Sequence, residues 1–124
     1  MKAISTTKAP AAIGPYSQAI EVGNLVFCSG QIPIVPETGN IVEGGIEEQA
    51  HQALKNVSNL LEAAGLSMKN VVKTSVFLAD MGDFATVNGI YAQYFSEPYP
   101  ARSAVAVKTL PKNVMIEVEV IAEK

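Results

Sequence analysis

Apolar positions between 46 and 64 recur at helical spacing. Ile46, Ala50, Ala53, Leu54, Val57, Leu60, Leu61 and Ala64 fall on one face, which predicts an amphipathic helix. Glu47 and Glu48 stand in its first turn, where the helix dipole favours negative charge, and Gly65 is placed to end it. Elsewhere the apolar runs are short and β-branched. Residues 16–22 (YSQAIEV) and 25–29 (LVFCS) read as two strands, joined by a tight turn at Gly23-Asn24. Residues 30–45 form a loop long enough to suggest a functional role. Residues 70–79 (NVVKTSVFLA) read as a third strand. Residues 83–95 read as a second helix, opening on Asp80 or Asp83, with Phe84, Val87, Ile90, Tyr91 and Tyr94 as its apolar set and Gly89 as its weak point. A strand at 101–107, a turn at Leu110-Pro111-Lys112-Asn113 and a last strand at 114–122 complete the order β-β-α-β-α-β-β. This predicts one α+β domain over residues 1–124, with a mostly antiparallel sheet and both helices on one face.

Composition narrows the class. Hydrophobic residues make up 48% of the 124 and charged residues 17%, which excludes disorder as a description of the whole chain. A chain so apolar and so poor in charge is expected to cover some of its apolar surface by self-association. The net charge of −3, without a basic stripe or any Trp, argues against nucleic acid as a partner. No stretch of 18 apolar residues exists to span a membrane, and no signal-peptide core follows Met1. The single cysteine, Cys28, cannot form an internal disulfide, so a reducing cytoplasmic setting is the simplest expectation. One His and one Cys are too few for a zinc site of Cys/His type, and no metal is expected.

Candidate chemistry is sparse. Arg102 is the only arginine, and its planar fork matches a carboxylate in a way that the eight lysines cannot. In the last strand Ile116, Val118 and Val120 point one way, and Met115, Glu117, Glu119 and Ile121 the other. If the strands at 101–107 and 114–122 pair as a hairpin, Arg102 and Glu117 or Glu119 share a face. Those residues then form either an anion site or an ordinary surface ion pair, and spacing alone leaves both open. His51 falls on the polar flank of the first helix, as a solvated histidine would. Cys28 sits in an apolar strand with no cation nearby in sequence, which predicts a buried, inert thiol. Tyr16 follows Gly14-Pro15 at a strand start, and Ser29-Gly30-Gln31 leads into the long loop.

Taken together, AIGPYSQAI, LVFCSGQIP, YAQYF, PARSAVAV and LPKNVMIEVEVIA resemble the YjgF/YER057c/UK114 family, whose deaminase branch comprises the RidA, or reactive-intermediate deaminase, proteins. The resemblance runs from Pro10 to Ala122. It implies a chorismate-mutase-like fold, a homotrimeric barrel with clefts between subunits, and no cofactor. The implied reaction is hydrolysis of 2-enamine and 2-imine acids, such as 2-iminobutanoate and 2-iminopropanoate, to 2-keto acids and ammonia. Carried over residue by residue, Arg102 clamps the substrate carboxylate and Glu117 orients or activates water. Tyr16 lines the cleft, and Ser29 and Gly30 offer hydroxyl and main-chain groups to the ligand. The chain departs from one frequent family feature: many members carry Cys after the Arg-Ser pair, and Ala104 stands there instead. Two other roles compete with the enzyme. One is a non-catalytic regulatory protein that binds small acids, which needs Arg102 alone. The other is a ribonuclease or translation inhibitor, disfavoured by the acidic balance and by the absence of a well-placed histidine.

Overall fold

The apolar face of the first helix requires a surface to cover it, and a six-stranded sheet does so in the computed structural model, which describes residues 1–124. The strands are β1 (Lys2–Ile4), β2 (Ala19–Val22), β3 (Leu25–Gln31), β4 (Val71–Leu78), β5 (Ala101–Ala106) and β6 (Ile116–Glu123). The helices are α1 (Ile46–Ala63) and α2 (Phe84–Tyr91). Across the sheet the order is β1-β2-β3-β6-β4-β5. Every neighbouring pair is antiparallel except β4 and β5, which run parallel. No helix is long and apolar enough to cross a membrane.

One face of the sheet carries the core. Ala53, Leu54, Val57, Leu60 and Leu61 of α1 meet Val26, Val76, Leu78, Ile116, Val118 and Val120, all at most 2% exposed. Each such Val, Leu or Ile side chain contributes about 1.5–3 kcal/mol by leaving water. The opposite face has no layer over it. Register places Val22, Leu25, Phe27 and Val105 there, between 36% and 47% exposed. Glu117, Glu119, Lys73 and Ser75 share this open face, because they alternate with the buried positions of β6 and β4.

Helix ends follow the sequence signals. Glu48 reaches back to the Gly45 N–H at 2.8 Å, which caps the start of α1. Gly65, at φ 76°, lets its own N–H reach the Glu62 carbonyl and the Leu66 N–H reach Leu61, which closes the helix in a Schellman motif. The β2–β3 turn uses positive φ at Gly23 alone.

Several expectations are corrected. The strand expected at 16–22 starts only at Ala19, and an unanticipated β1 pairs with it through Lys2↔Glu21 and Ile4↔Ala19. The second helix is shorter than 83–95: Met81–Asp83 form a 3₁₀ turn, and the regular helix ends at Tyr91. The expected hairpin between the last two strands does not form. β5 lies at the sheet edge, paired in parallel with β4, whereas β6 inserts between β3 and β4. The segment β4–α2–β5 is a crossover unit, and a helix between two strands favours parallel pairing over a hairpin.

Candidate functional site

Glu117 lines a cleft of about 630 Å³. Gly30, Gln31, Ile32, Ile34, Tyr16 and Lys112 are among the residues around it. β3 is irregular here: Cys28 pairs with Val120 and Gln31 with Val118, so Ser29 and Gly30 together oppose Glu119. That bulge brings the Gly30 backbone against Glu117. A Cβ at Gly30 would lie 2.8 Å from the Glu117 Cδ and 3.1 Å from its Cγ, so only glycine leaves room for the carboxylate as it stands. Tyr16, 53% exposed, also lines the cleft.

Three buried amide side chains hold the walls in place. Gln18 bonds the backbone of Thr6, Ala9 and Pro10, with Nε2 donating to the Pro10 carbonyl at 2.7 Å. Asn56 of α1 donates to the carbonyls of Ile32 and Ile34, at 3.2 and 2.9 Å, and so fixes the start of the long loop. Gln49 accepts from the Met115 N–H at 2.8 Å, two residues before Glu117. The sequence reading missed these amides. The signal was present, since Gln49 and Asn56 lie beside the apolar face of α1, where a polar side chain needs a buried partner.

Glu117 is a half-buried carboxylate whose proton is held above the usual carboxylate range, first because burial disfavours its charge and second because Glu119 lies nearby. A carboxylate raised in this way, at a cleft, is suited to moving protons. Ser29 does not line this cleft. Its Oγ donates to the Ser17 carbonyl at 2.7 Å, and it faces a neighbouring hollow with Lys73, Ser75 and Glu119.

Arg102 lies elsewhere. It stands opposite Thr74 in the parallel β4–β5 register, on the side of the sheet that holds the helices. Glu117 stands opposite Phe77, on the open side. The expected shared face is therefore absent, and one chain does not bring the two residues together. Nor is Arg102 in an ion pair; the one ion pair joins Lys124 and Glu21. Its Nη1 donates to Asn88 Oδ1 at 2.7 Å, and its guanidinium carbon lies 4.8 Å from the Tyr91 ring centre and 5.2 Å from that of Phe84. The Tyr91 hydroxyl is bonded to Thr74 Oγ1 at 2.9 Å. Asn88, Tyr91, Ala92, Tyr99, Pro100 and Arg102 border a hollow of about 470 Å³ at the sheet edge.

The remaining singletons behave as expected or better. Cys28 is buried, and desolvation pushes its thiol up to about 12, so it holds no thiolate at neutral pH. His51 is exposed on α1 but not free: its Nδ1 and the Tyr94 hydroxyl are 2.9 Å apart. It borders neither hollow described above. No group of three or more His, Cys, Asp or Glu side chains is arranged to hold a metal ion.

Known proteins resemble the chain over its whole length. A mouse protein named 2-iminobutanoate/2-iminopropanoate deaminase is 55% identical over 121 residues, 98% of this chain and 90% of its own. A crystal structure from Thermotoga maritima, described as a candidate endoribonuclease, superposes with a TM-score of 0.97 at 55% identity, covering 100% of this chain and 98% of that one. Escherichia coli TdcF with bound serine superposes at 0.94 with 47% identity, covering 100% and 99%. The model of the endoribonuclease L-PSP family matches residues 6–124, a span that includes Tyr16, Gly30, Arg102 and Glu117, and the chain belongs to that family, the YjgF/RidA group.

Proposed function

We propose that the chain is a 2-iminobutanoate/2-iminopropanoate deaminase, working as a chorismate-mutase-like homotrimer in which Arg102 of one subunit faces the Glu117 cleft of the next. The observation that carries this reading is the division of the site. A cation with its charge uncompensated and a carboxylate with a raised proton affinity occupy opposite faces of one sheet. Joining them takes a second copy, and the uncovered apolar sheet face, with Phe27 and Val105, supports such packing.

The chemistry follows from the two groups. An enamine acid first takes a proton from solvent water at C3, the carbon next to C2, to become the protonated imine. Arg102 receives its carboxylate, which sets the C2 carbon beside a water held by Glu117. Water adds to C2 as Glu117 takes its proton, giving a neutral carbinolamine. Glu117 returns that proton to the amino nitrogen, the C–N bond breaks with its electron pair leaving on nitrogen, and the hydroxyl proton departs with the ammonia as ammonium. The product is the 2-keto acid. Tyr16 and the Ile32 and Ile34 walls enclose the substrate's short carbon chain, and Gly30 leaves room for the Glu117 carboxylate. Ser29, with its proton engaged at Ser17, serves the ligand at most as an acceptor. The bound serine of TdcF, an amino acid with the same carboxylate and 2-nitrogen, is consistent with an acid of this size.

The ribonuclease reading has less support. The only histidine is tied to Tyr94, outside both hollows, and the chain carries a net charge of −3. The test is to generate 2-iminobutanoate in situ with a threonine dehydratase and to time 2-oxobutanoate release. Faster release with the protein is expected, and release at the spontaneous rate refutes the enzyme in favour of a binding protein.

A further inference from the structure

Asn88 is a polar residue in the middle of α2, flanked on the same stripe by Phe84 four residues before it and Tyr91 three residues after it. The fold gives it little else to do. It is exposed, asparagine is a poorer mid-helix residue than alanine, and its side chain makes one hydrogen bond, to Arg102 Nη1. Because Nη1 can only donate, the acceptor must be the amide oxygen.

An arginine on an exposed edge strand samples many rotamers unless it is held. Here the two rings pack against the guanidinium, the Tyr91 ring is itself pinned through Thr74, and Asn88 fixes the rotation of the fork. We propose that Asn88 is a positioning residue: it orients the Arg102 fork and, as a neutral acceptor, spends one N–H without spending the charge. Four of the five guanidinium N–H groups remain, enough for a two-pronged grip on a carboxylate. An aspartate of the same shape would take the same N–H but neutralise the cation and compete with the substrate. This inference rests on the reading of Arg102 as the carboxylate clamp.

The test compares Asn88→Asp, Asn88→Ala and Arg102→Ala with the parent. It measures 2-oxobutanoate binding by calorimetry, kcat and KM on 2-iminobutanoate, melting temperature and mass. Asn88→Asp is expected to weaken 2-oxobutanoate binding and raise KM at least tenfold, with kcat changed less than threefold. Asn88→Ala should do the same by about threefold, and should have no added effect in an Arg102→Ala background. A merely structural role would lower the melting temperature and kcat together, and its effect would add to that of Arg102→Ala. If Arg102→Ala itself leaves 2-oxobutanoate binding unchanged, the clamp reading falls, and this inference with it. If Arg102→Ala abolishes binding while Asn88→Asp keeps the parent's affinity and KM, the positioning role alone is overturned. Should the aspartate disturb α2, an Asn88→Ala protein of parental melting temperature and parental KM overturns it equally.

Discussion

Gly30→Ala is the substitution whose consequences the structure separates most sharply. The added methyl would lie 2.8 Å from the Glu117 Cδ and 3.1 Å from its Cγ, well inside contact distance. Something must move, and two costs compete. Forcing a methyl into a packed core costs about 1–3 kcal/mol. Here the obstruction is the end of a flexible, half-buried side chain, and Gly30 has no positive φ that alanine would strain. The stability cost should therefore stay below about 1 kcal/mol, a shift of roughly 2–5 °C for a domain of this size. Catalysis has no such escape. A displacement of about 1 Å in a group that holds the attacking water can cost on the order of 100-fold in rate. Arg102, the proposed carboxylate clamp, lies on the other face of the sheet and is untouched. The expected protein melts within a few degrees of the parent and binds 2-oxobutanoate within about threefold, with kcat lowered roughly 30- to 100-fold. Steady-state kinetics with coupled imine generation, alongside calorimetric binding and a melting curve, reads all three. A parental kcat would refute the claim that Glu117 must occupy the space above Gly30.

Other expectations follow from the same geometry. Arg102→Lys keeps the charge but loses the fork; at about 1.5–3 kcal/mol for a charge-assisted hydrogen bond, kcat/KM should fall by roughly 10- to 100-fold. Glu117→Gln should lower kcat far more than it weakens 2-oxobutanoate binding, because the group acts on water. It should also raise the melting temperature at neutral pH. The folded-state proton affinity of Glu117 is raised, so its ionisation above the usual carboxylate range opposes folding, and the mutant's advantage should shrink as pH falls through that range. A Glu117→Gln protein with an equal gain at pH 3 and pH 8 would contradict the burial argument. Native protein treated with a thiol-alkylating reagent at pH 7 should keep its activity, because Cys28 is buried and protonated, and Ala104→Cys should hydrolyse imines within a few-fold of the parent. Inactivation traced by mass spectrometry to Cys28 would show that the thiol is accessible.

The parts of the fold governed by local periodicity were legible in the chain. The 3.6-residue repeat from Ile46 to Ala64 and the terminator Gly65 located α1, and the alternation of Ile116, Val118 and Val120 assigned the buried face of β6 correctly. Strand order was not legible, because it depends on partners distant in sequence. The short connection from Ala106 to Ile116 reads as a hairpin, yet β6 finds more apolar surface between β3 and β4 than at the edge beside β5. That choice put Arg102 on the helix side, away from Glu117. β1 is only three residues long and carries no pattern of its own. The family resemblance named Tyr16, Ser29, Gly30, Arg102 and Glu117, but the surroundings of those residues, including the neighbouring hollow that Ser29 faces, came from the structure. Gln18 and the neutral partner Asn88 stand in the sequence as ordinary polar residues, and Gln49 and Asn56 are marked only by their place beside the apolar face of α1.

The central claim is that a complete site takes Arg102 from one subunit and Glu117 from another. Arg102→Ala and Glu117→Gln chains, each nearly inactive alone, can be co-expressed in equal amounts and assayed together on 2-iminobutanoate. With random assembly, each site has one chance in two of drawing an intact Arg102 and one in two of drawing an intact Glu117. The mixture should therefore regain about a quarter of the parent's activity. A mixture no more active than its two components would mean that no site is shared between subunits, and would contradict the account.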